Sequence, residues 1–409
     1  MMRKWTVGAQ LSTSHSSRDA LGLGRAFEAA ERVRREIELD LLIVGSREAP
    51  EIFRSMCGPR RPASDVFLWY NVLSDIDEME DSDLVVNWRG ERSCGWGGWA
   101  ERGAEVDETF RFACPNNPAP RRKTLRRLAE LLGRYAFTGV FLDKIRFPSP
   151  ANGIDEVLSC FCDHCRRAAA AVDLDLDAVI KVIGDHAIDP DTSAATRDGG
   201  GVSPWLEALA AANPLLSRFL RFRSDSITQL VAAAHEEASR LGRKVSLDLF
   251  SPCLAQLVGQ DYRLLSLHCA WAKPMTYRVA QGPAGLRLEI PALVEGVARL
   301  FNIDEARILD WAVRNVDAFD YDTLRQSRES AVPLRMIKAE IEAAIRAMQP
   351  VPVYFGLELI SHPGVVDITP ALVRDMVSAG RAANARGRII SWDLMHAPMD
   401  GIRALAAGK

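Results

Sequence analysis

The chain has 409 residues, 48% of them hydrophobic and 26% charged, which is ample material for a large core and unlike a disordered chain. A formal net charge of -3 offers no general attraction to nucleic acid or anionic lipid. No apolar run reaches the roughly 18 to 20 residues that span a bilayer, and the opening Met1-Met2-Arg3-Lys4-Trp5 lacks a secretion signal. A cytoplasmic protein with no membrane or nucleic-acid partner is therefore expected.

Eight short apolar runs bounded by turn signals read as strands, at residues 5–11, 41–45, 66–73, 139–147, 245–250, 271–277, 351–360 and 388–395. Stretches with helical spacing separate most of them, among them 25–37, 123–135, 217–241, 335–348 and 370–385. This alternation predicts an α/β fold, a (β/α)8 TIM barrel forming a single domain over residues 1–409. Two connections exceed a simple crossover, giving long insertions after strands 4 and 6. The first, residues 148–244, holds a cysteine knuckle, a helical piece at 166–183, a Gly/Asp-rich passage ending at 198–201 and a long helix. The second, residues 281–350, carries further helices.

Four of the eight cysteines fall in two phrases that flank strand four: Cys114, and Cys160, Cys162 and Cys165 in Cys-Phe-Cys-Asp-His-Cys. Structural Zn2+ takes four thiolates in a tetrahedron, and two short knuckles brought together across a strand supply that geometry. In a reducing compartment clustered cysteines more often mean metal than cystine. Four reduced, packed thiols are the plain alternative, and His164 offers a substitute ligand within the knuckle.

Strand parity selects the side chains that face the lumen, because alternate residues point to opposite faces of a barrel strand. It places Asp248 inward on strand five, Glu358 on strand seven, Asp143 on strand four, and Lys273 with Tyr277 on strand six. Asp393 on strand eight, Gln10 on strand one and Asn71 on strand three follow by the same argument. Catalytic groups of this fold sit at the C-terminal mouth, and two carboxylates across a lumen are what glycoside hydrolysis requires. Asp143 and Glu358 are therefore the expected catalytic pair. Gln10, Asn71, Arg146, Asp248, Lys273, Tyr277, Trp392 and Asp393 are the expected substrate-binding residues. Arg146, Lys273 and Arg278 add positive charge, which either balances the acids or receives an anionic sugar. Tryptophans such as Trp96 and Trp99 are candidate platforms for sugar rings.

The phrases Cys114-Pro115-Asn116-Asn117-Pro118 and Cys160-Phe161-Cys162-Asp163-His164-Cys165-Arg166-Arg167-Ala168 resemble the zinc-binding phrases of glycoside hydrolase family 42 β-galactosidases. The resemblance covers about sixty residues. It implies structural Zn2+ on Cys114, Cys160, Cys162 and Cys165, an acid/base at the end of strand four, and a nucleophile role for Glu358. Where the family has Asp-Asn-Glu after strand four, this chain has Asp143-Lys144-Ile145-Arg146-Phe147-Pro148. That phrase, with Lys273-Pro-Met-Thr-Tyr277 and Ser391-Trp392-Asp393, is similar to uncharacterised glycoside-hydrolase-like barrels. A glycoside hydrolase acting on a short saccharide or glycosylated small molecule is the expected function. A Schiff-base lyase or aldolase using Lys273 and a non-catalytic sugar-binding barrel are the alternatives. A small carbohydrate is the expected partner, and a homo-oligomer is compatible with the fold.

Overall fold

The computed structural model describes residues 5–13, 20–59, 63–76, 78–102, 108–185, 213–315 and 319–407. Eight strands are described: β1 (Thr6–Ser12), β2 (Leu41–Gly45), β3 (Asp65–Asn71), β4 (Gly139–Asp143), β5 (Lys244–Phe250), β6 (Trp271–Met275), β7 (Tyr354–Glu358) and β8 (Gly387–Ser391). All pair in parallel, in the order β6-β5-β4-β3-β2-β1-β8-β7. A parallel bridge between Ala272 and Val353, in which Ala272 N–H donates to Pro352 O at 3.1 Å, brings the two edges together. The result is a (β/α)8 barrel.

Alternation along the strands separates two apolar layers. Val140 and Leu142 on β4, and Leu247 and Leu249 on β5, join the core under the helices. Phe67, Trp69, Phe141, Trp271 and Ile389 form a separate cluster inside the barrel. The Trp271 ring lies 5.2 Å from Phe67, 5.4 Å from Phe141 and 5.3 Å from Tyr354, so aromatic rings plug the lumen floor. Two residues further along the same strands the inward positions turn polar: Asp143 follows Phe141, Lys273 follows Trp271, and Ser391 follows Ile389. The floor is thus dry and the mouth is charged.

Helices Pro118–Arg134, Pro214–Arg240 and Pro370–Ala382 share one starting device, proline in the first turn behind a capping side chain. Asn117 accepts from Ala119 N, Asn213 from Leu215 N and Thr369 from Leu372 N. The first two begin several residues before the expected starts, because proline's missing N–H costs nothing at a helix start.

Strand four stops at Asp143 instead of running to residue 147. Lys144 adopts a left-handed conformation (φ 54°) and turns the chain away from the ladder. The helical piece expected at 166–183 is two helices, Asp163–Ala170 and Leu176–Gly184, separated near Asp173 (φ 55°). The passage at 198–201 lies outside the described residues. The insertion after β6 contains helices Leu286–Phe301, Glu305–Asn315 and Tyr321–Glu329 ahead of Leu334–Met348. A further long connection joins β3 to β4, built on isolated antiparallel bridges that include Ser74 with Phe112 and Leu84 with Ala113. No helix among the described residues is long and apolar enough to cross a membrane.

Candidate active site

A small cleft of about 70 Å³, partly open to solvent, sits over the C-terminal ends of β4, β5 and β6. Its lining includes Gln10, Trp69, Trp99, Glu108, Asp143, Lys144, Arg146, Asp248, Tyr277 and Trp392.

Lys273 organises the floor of this cleft. Fully buried, its ammonium pairs with Asp248 Oδ2 at 2.9 Å and donates to Gln10 Oε1 at 2.8 Å, Tyr277 Oη at 2.8 Å and Ser391 Oγ at 3.3 Å. Burial opposes the charge, but Asp248 and Tyr277 outweigh it and hold Lys273 above the usual lysine range. An ammonium held this way is a poor Schiff-base nucleophile, which needs a free amine. Gly356 on β7 leaves room for the Tyr277 ring, since a Cβ there would lie 3.1 Å from Tyr277 Cε1.

Asp143 and Asp248 stand on neighbouring strands one step past the paired Leu142 and Leu247. Asp143 accepts on both oxygens, from Trp69 Nε1 at 2.9 Å and from Lys144 N at 2.6 Å. Asp248 offers Oδ2 to Lys273, while its buried Oδ1 has no hydrogen-bond partner. Burial raises the Asp248 carboxyl to about 8, against the pull of Lys273 and with the help of Asp143. Two adjacent acids thus sit in unlike hydrogen-bonding environments.

A third acid, Glu108, reaches the cleft from the β3–β4 connection and pairs with Lys144 Nζ at 3.0 Å. Burial pushes its carboxyl upward, opposed by Lys144. Lys144 also binds Asp75 at 2.6 Å. Burial works against the Asp75 charge, yet Lys144 and Thr109 hold it at about 2. Glu108 escapes strand parity because it lies on an irregular loop, where no periodicity marks the direction of a side chain.

Arg146 lies between the rings of Phe112 (4.3 Å) and Phe250 (4.5 Å) and donates from Nη1 to Phe147 O at 3.0 Å. It has no ion pair within 4.0 Å among the described residues. It borders the cleft, although only 3% of the residue is exposed. Arg278 turns away, donating to Val332 O at 2.6 Å and lying 3.7 Å from Asp375.

Four expected site residues are not in the cleft lining: Lys273, fully buried beneath it, and Glu358, Asp393 and Asn71. Glu358 is fully buried, and its carboxylate accepts three backbone N–H groups, from Arg278 (3.0 Å), Val279 (2.9 Å) and Ala280 (2.5 Å). Burial raises it to about 7 against those bonds. The chain leaving β6 crosses over this strand end and occupies the acid. Asp393 follows the end of β8 at Ser391, beyond the reach of parity. It accepts from Ser12 N and Met395 N, both at 3.1 Å, and Trp392 enters the cleft in its place. Asn71 opens instead on a neighbouring groove with Glu48 and Arg127.

The four cysteines converge as their spacing suggests. Their sulfurs lie within 4.8 Å of one another, with Cys114 Sγ 3.4 Å from Cys165 Sγ and 3.5 Å from Cys162 Sγ. A tetrahedron with metal–sulfur bonds of about 2.3 Å has edges of about 3.8 Å, so the set fits a metal. Val86 N donates to Cys160 Sγ and Asn116 Nδ2 to Cys165 Sγ, both at 3.3 Å, the N–H···S support that thiolate ligands receive. His164 points outward to Arg167 at 3.0 Å and is not part of the set.

The chain matches no protein-family model and no curated protein. Among solved structures it is similar to the glycoside hydrolase domain of PgaB (BpsB) from Bordetella bronchiseptica, with a TM-score of 0.58 and 12% identity over 99% of each chain. It is also similar to the catalytic domain of β-amylase from Paenibacillus polymyxa, with a TM-score of 0.49 and 8% identity over 98% of this chain and 97% of that one. At such identities the likeness is one of fold: a barrel of the kind glycoside hydrolases use.

The Glu358 contacts make a stability prediction. Glu358→Gln replaces one acceptor oxygen with an NH2 group that faces backbone N–H donors, leaving at least one of them unpaired. Unfolding free energy should fall by about 1–3 kcal/mol in urea titration. Unchanged stability would mean that the three bonds hold nothing.

Proposed function

We propose that this protein is a glycoside hydrolase whose carboxyl pair is Asp143 and Asp248, acting on a small carbohydrate-containing substrate in the cleft. The observation that carries this reading is the pair itself, adjacent on β4 and β5, one acid bonded on both oxygens and the other raised to about 8 by burial. Asp248 in its protonated form donates to the departing glycosidic oxygen. Asp143 attacks the anomeric carbon or takes a proton from water. Trp99, Trp392 and Tyr277 supply apolar walls for the sugar ring. The likeness in fold to a glycoside hydrolase domain supports the same reaction class.

Cys114, Cys160, Cys162 and Cys165 in this reading hold a structural Zn2+. All four positions are protein ligands, so the metal orders its loops and takes no part in the reaction. Cys114 ends a segment that carries Glu108 and Phe112 to the cleft, which links the metal to the shape of the site. Protein purified without chelator should contain about one zinc per chain, and stripping it should lower the melting temperature. Elemental analysis showing no appreciable metal would remove the metal from the proposal.

A panel of aryl and alkyl glycosides tests the hydrolase reading. Asp143→Asn and Asp248→Asn should each lower kcat/KM by at least about a hundredfold. The Asp248 loss should shrink on substrates with a good leaving group, which need no proton. Because the acid form exists below its pKa, activity should decline as pH rises past about 8, and Asp248→Asn should abolish that limb. Binding of sugars without turnover of any substrate would favour the non-catalytic alternative.

Substrate charge is open to a separate measurement. Arg146 borders the cleft with no ion pair among the described residues, and a guanidinium suits a sugar carboxylate. Arg146→Ala should weaken a uronide relative to its neutral parent by a further ~1.5–3 kcal/mol, the contribution of a charge-assisted hydrogen bond. Equal losses on both substrates would leave Arg146 as a structural companion of the acids.

A further inference from the structure

Arg223, on helix Pro214–Arg240, is fully buried, and its Nε, Nη1 and Nη2 have no hydrogen-bond partner. Among the described residues it has no carboxylate within ion-pair distance. The rings of Phe147 (4.5 Å) and Phe219 (5.7 Å) face its guanidinium, and such ring faces offset only part of the cost of burying a cation. No carboxylate among the described residues compensates this charge.

The cysteine cluster lies beside it. Phe219 stacks at 5.0 Å on Phe161, the residue between Cys160 and Cys162. Ser226, on the same helix, accepts from Asn116 Nδ2 at 3.0 Å, and that amide also donates to Cys165 Sγ. Cys160 and Cys165 are the ionisable groups near enough to act on the charge of Arg223. As neutral thiols they offer it nothing. Four thiolates around a divalent cation carry a net charge of about -2, which in a dry interior is also costly unless a cation stands near.

We infer that Arg223 is the buried counter-cation of a divalent metal held by Cys114, Cys160, Cys162 and Cys165. The inference rests on the metal reading above and extends it: Arg223 offsets part of the negative charge of the metal site, the site compensates Arg223, and neither is well accommodated alone. Arg223 acts as a positioning residue for the metal and touches no substrate. Asn116 and the Phe161–Phe219 stack hold the two partners in place.

The test uses the full chain loaded with zinc, with Arg223→Met and Arg223→Lys. Arg223→Met should lower the melting temperature of the zinc form and raise that of the zinc-stripped form, because only in the latter is the arginine uncompensated. Arg223→Lys should retain the behaviour of the parent protein. A shift of the same sign in both forms would overturn the inference. Zinc transfer to a chromophoric chelator gives a second measure that needs no folded metal-free state. Transfer from Arg223→Met should be at least about tenfold faster than from the parent protein, in line with the loss of support around a metal. Equal rates would overturn the inference and leave the metal site standing. Parent protein with no zinc, and no thiolate-to-metal absorption on cobalt loading, would overturn both.

Discussion

A single buried ammonium governs the mouth of this barrel. Lys273 shares three N–H donors among oxygens from β1, β5, β8 and its own strand's end, so Gln10, Asp248, Ser391 and Tyr277 are positioned by one charge. Removing such a cation would leave Asp248, Gln10 and Tyr277 without their shared buried partner, and an unsatisfied buried polar group costs about 1–3 kcal/mol. The lysine therefore holds the strand ends in register over the aromatic floor. It also fixes which face of Asp248 is occupied and which is free. The asymmetry of the two acids follows from this contact.

The rim depends on a different anchor. From Cys114 back toward Glu108 the chain places Phe112 on the guanidinium of Arg146, Phe110 at 4.6 Å from Lys144 Nζ, and Glu108 on Lys144 itself. This stretch is held by isolated bridges to Ser74 and Leu84 and by single backbone bonds such as Trp96 N–H to Thr109 O at 2.8 Å. A cross-link at the Cys114 end restricts the whole run, since ordering one end of a short loop removes much of its conformational freedom. Helix Pro214–Arg240 closes the same region from outside through Phe219 and Ser226. The connection after β3 therefore supplies Trp99, Glu108 and Phe110 to one wall of the cleft, and the insertion after β4 braces it from outside.

Much of this architecture is legible in the sequence because its causes are local. Alternation of apolar and polar residues is a property of each strand, so Phe141 and Trp271 inside and Leu142 and Leu247 outside follow from parity alone. The identities of Cys114, Cys160, Cys162 and Cys165 mark a cluster because few other uses require that spacing. Boundaries were less legible: proline within a helix's first turn conceals its start, and the left-handed Lys144 ends β4 where the apolar pattern continues.

Tertiary structure alone decided what each inward-facing polar residue does. Asp143, Asp248 and Glu358 share parity, yet only the first two line the cleft, because backbone N–H groups of the chain leaving β6 engage Glu358. Asp393 is taken up by Ser12 N from the far end of the chain. Glu108 and Arg223 matter through neighbours dozens of residues away. Sequence determined which groups are present and which way a strand presents them. Whether a carboxylate is free to meet a substrate depends on donors from distant segments, and those meet only when the barrel closes.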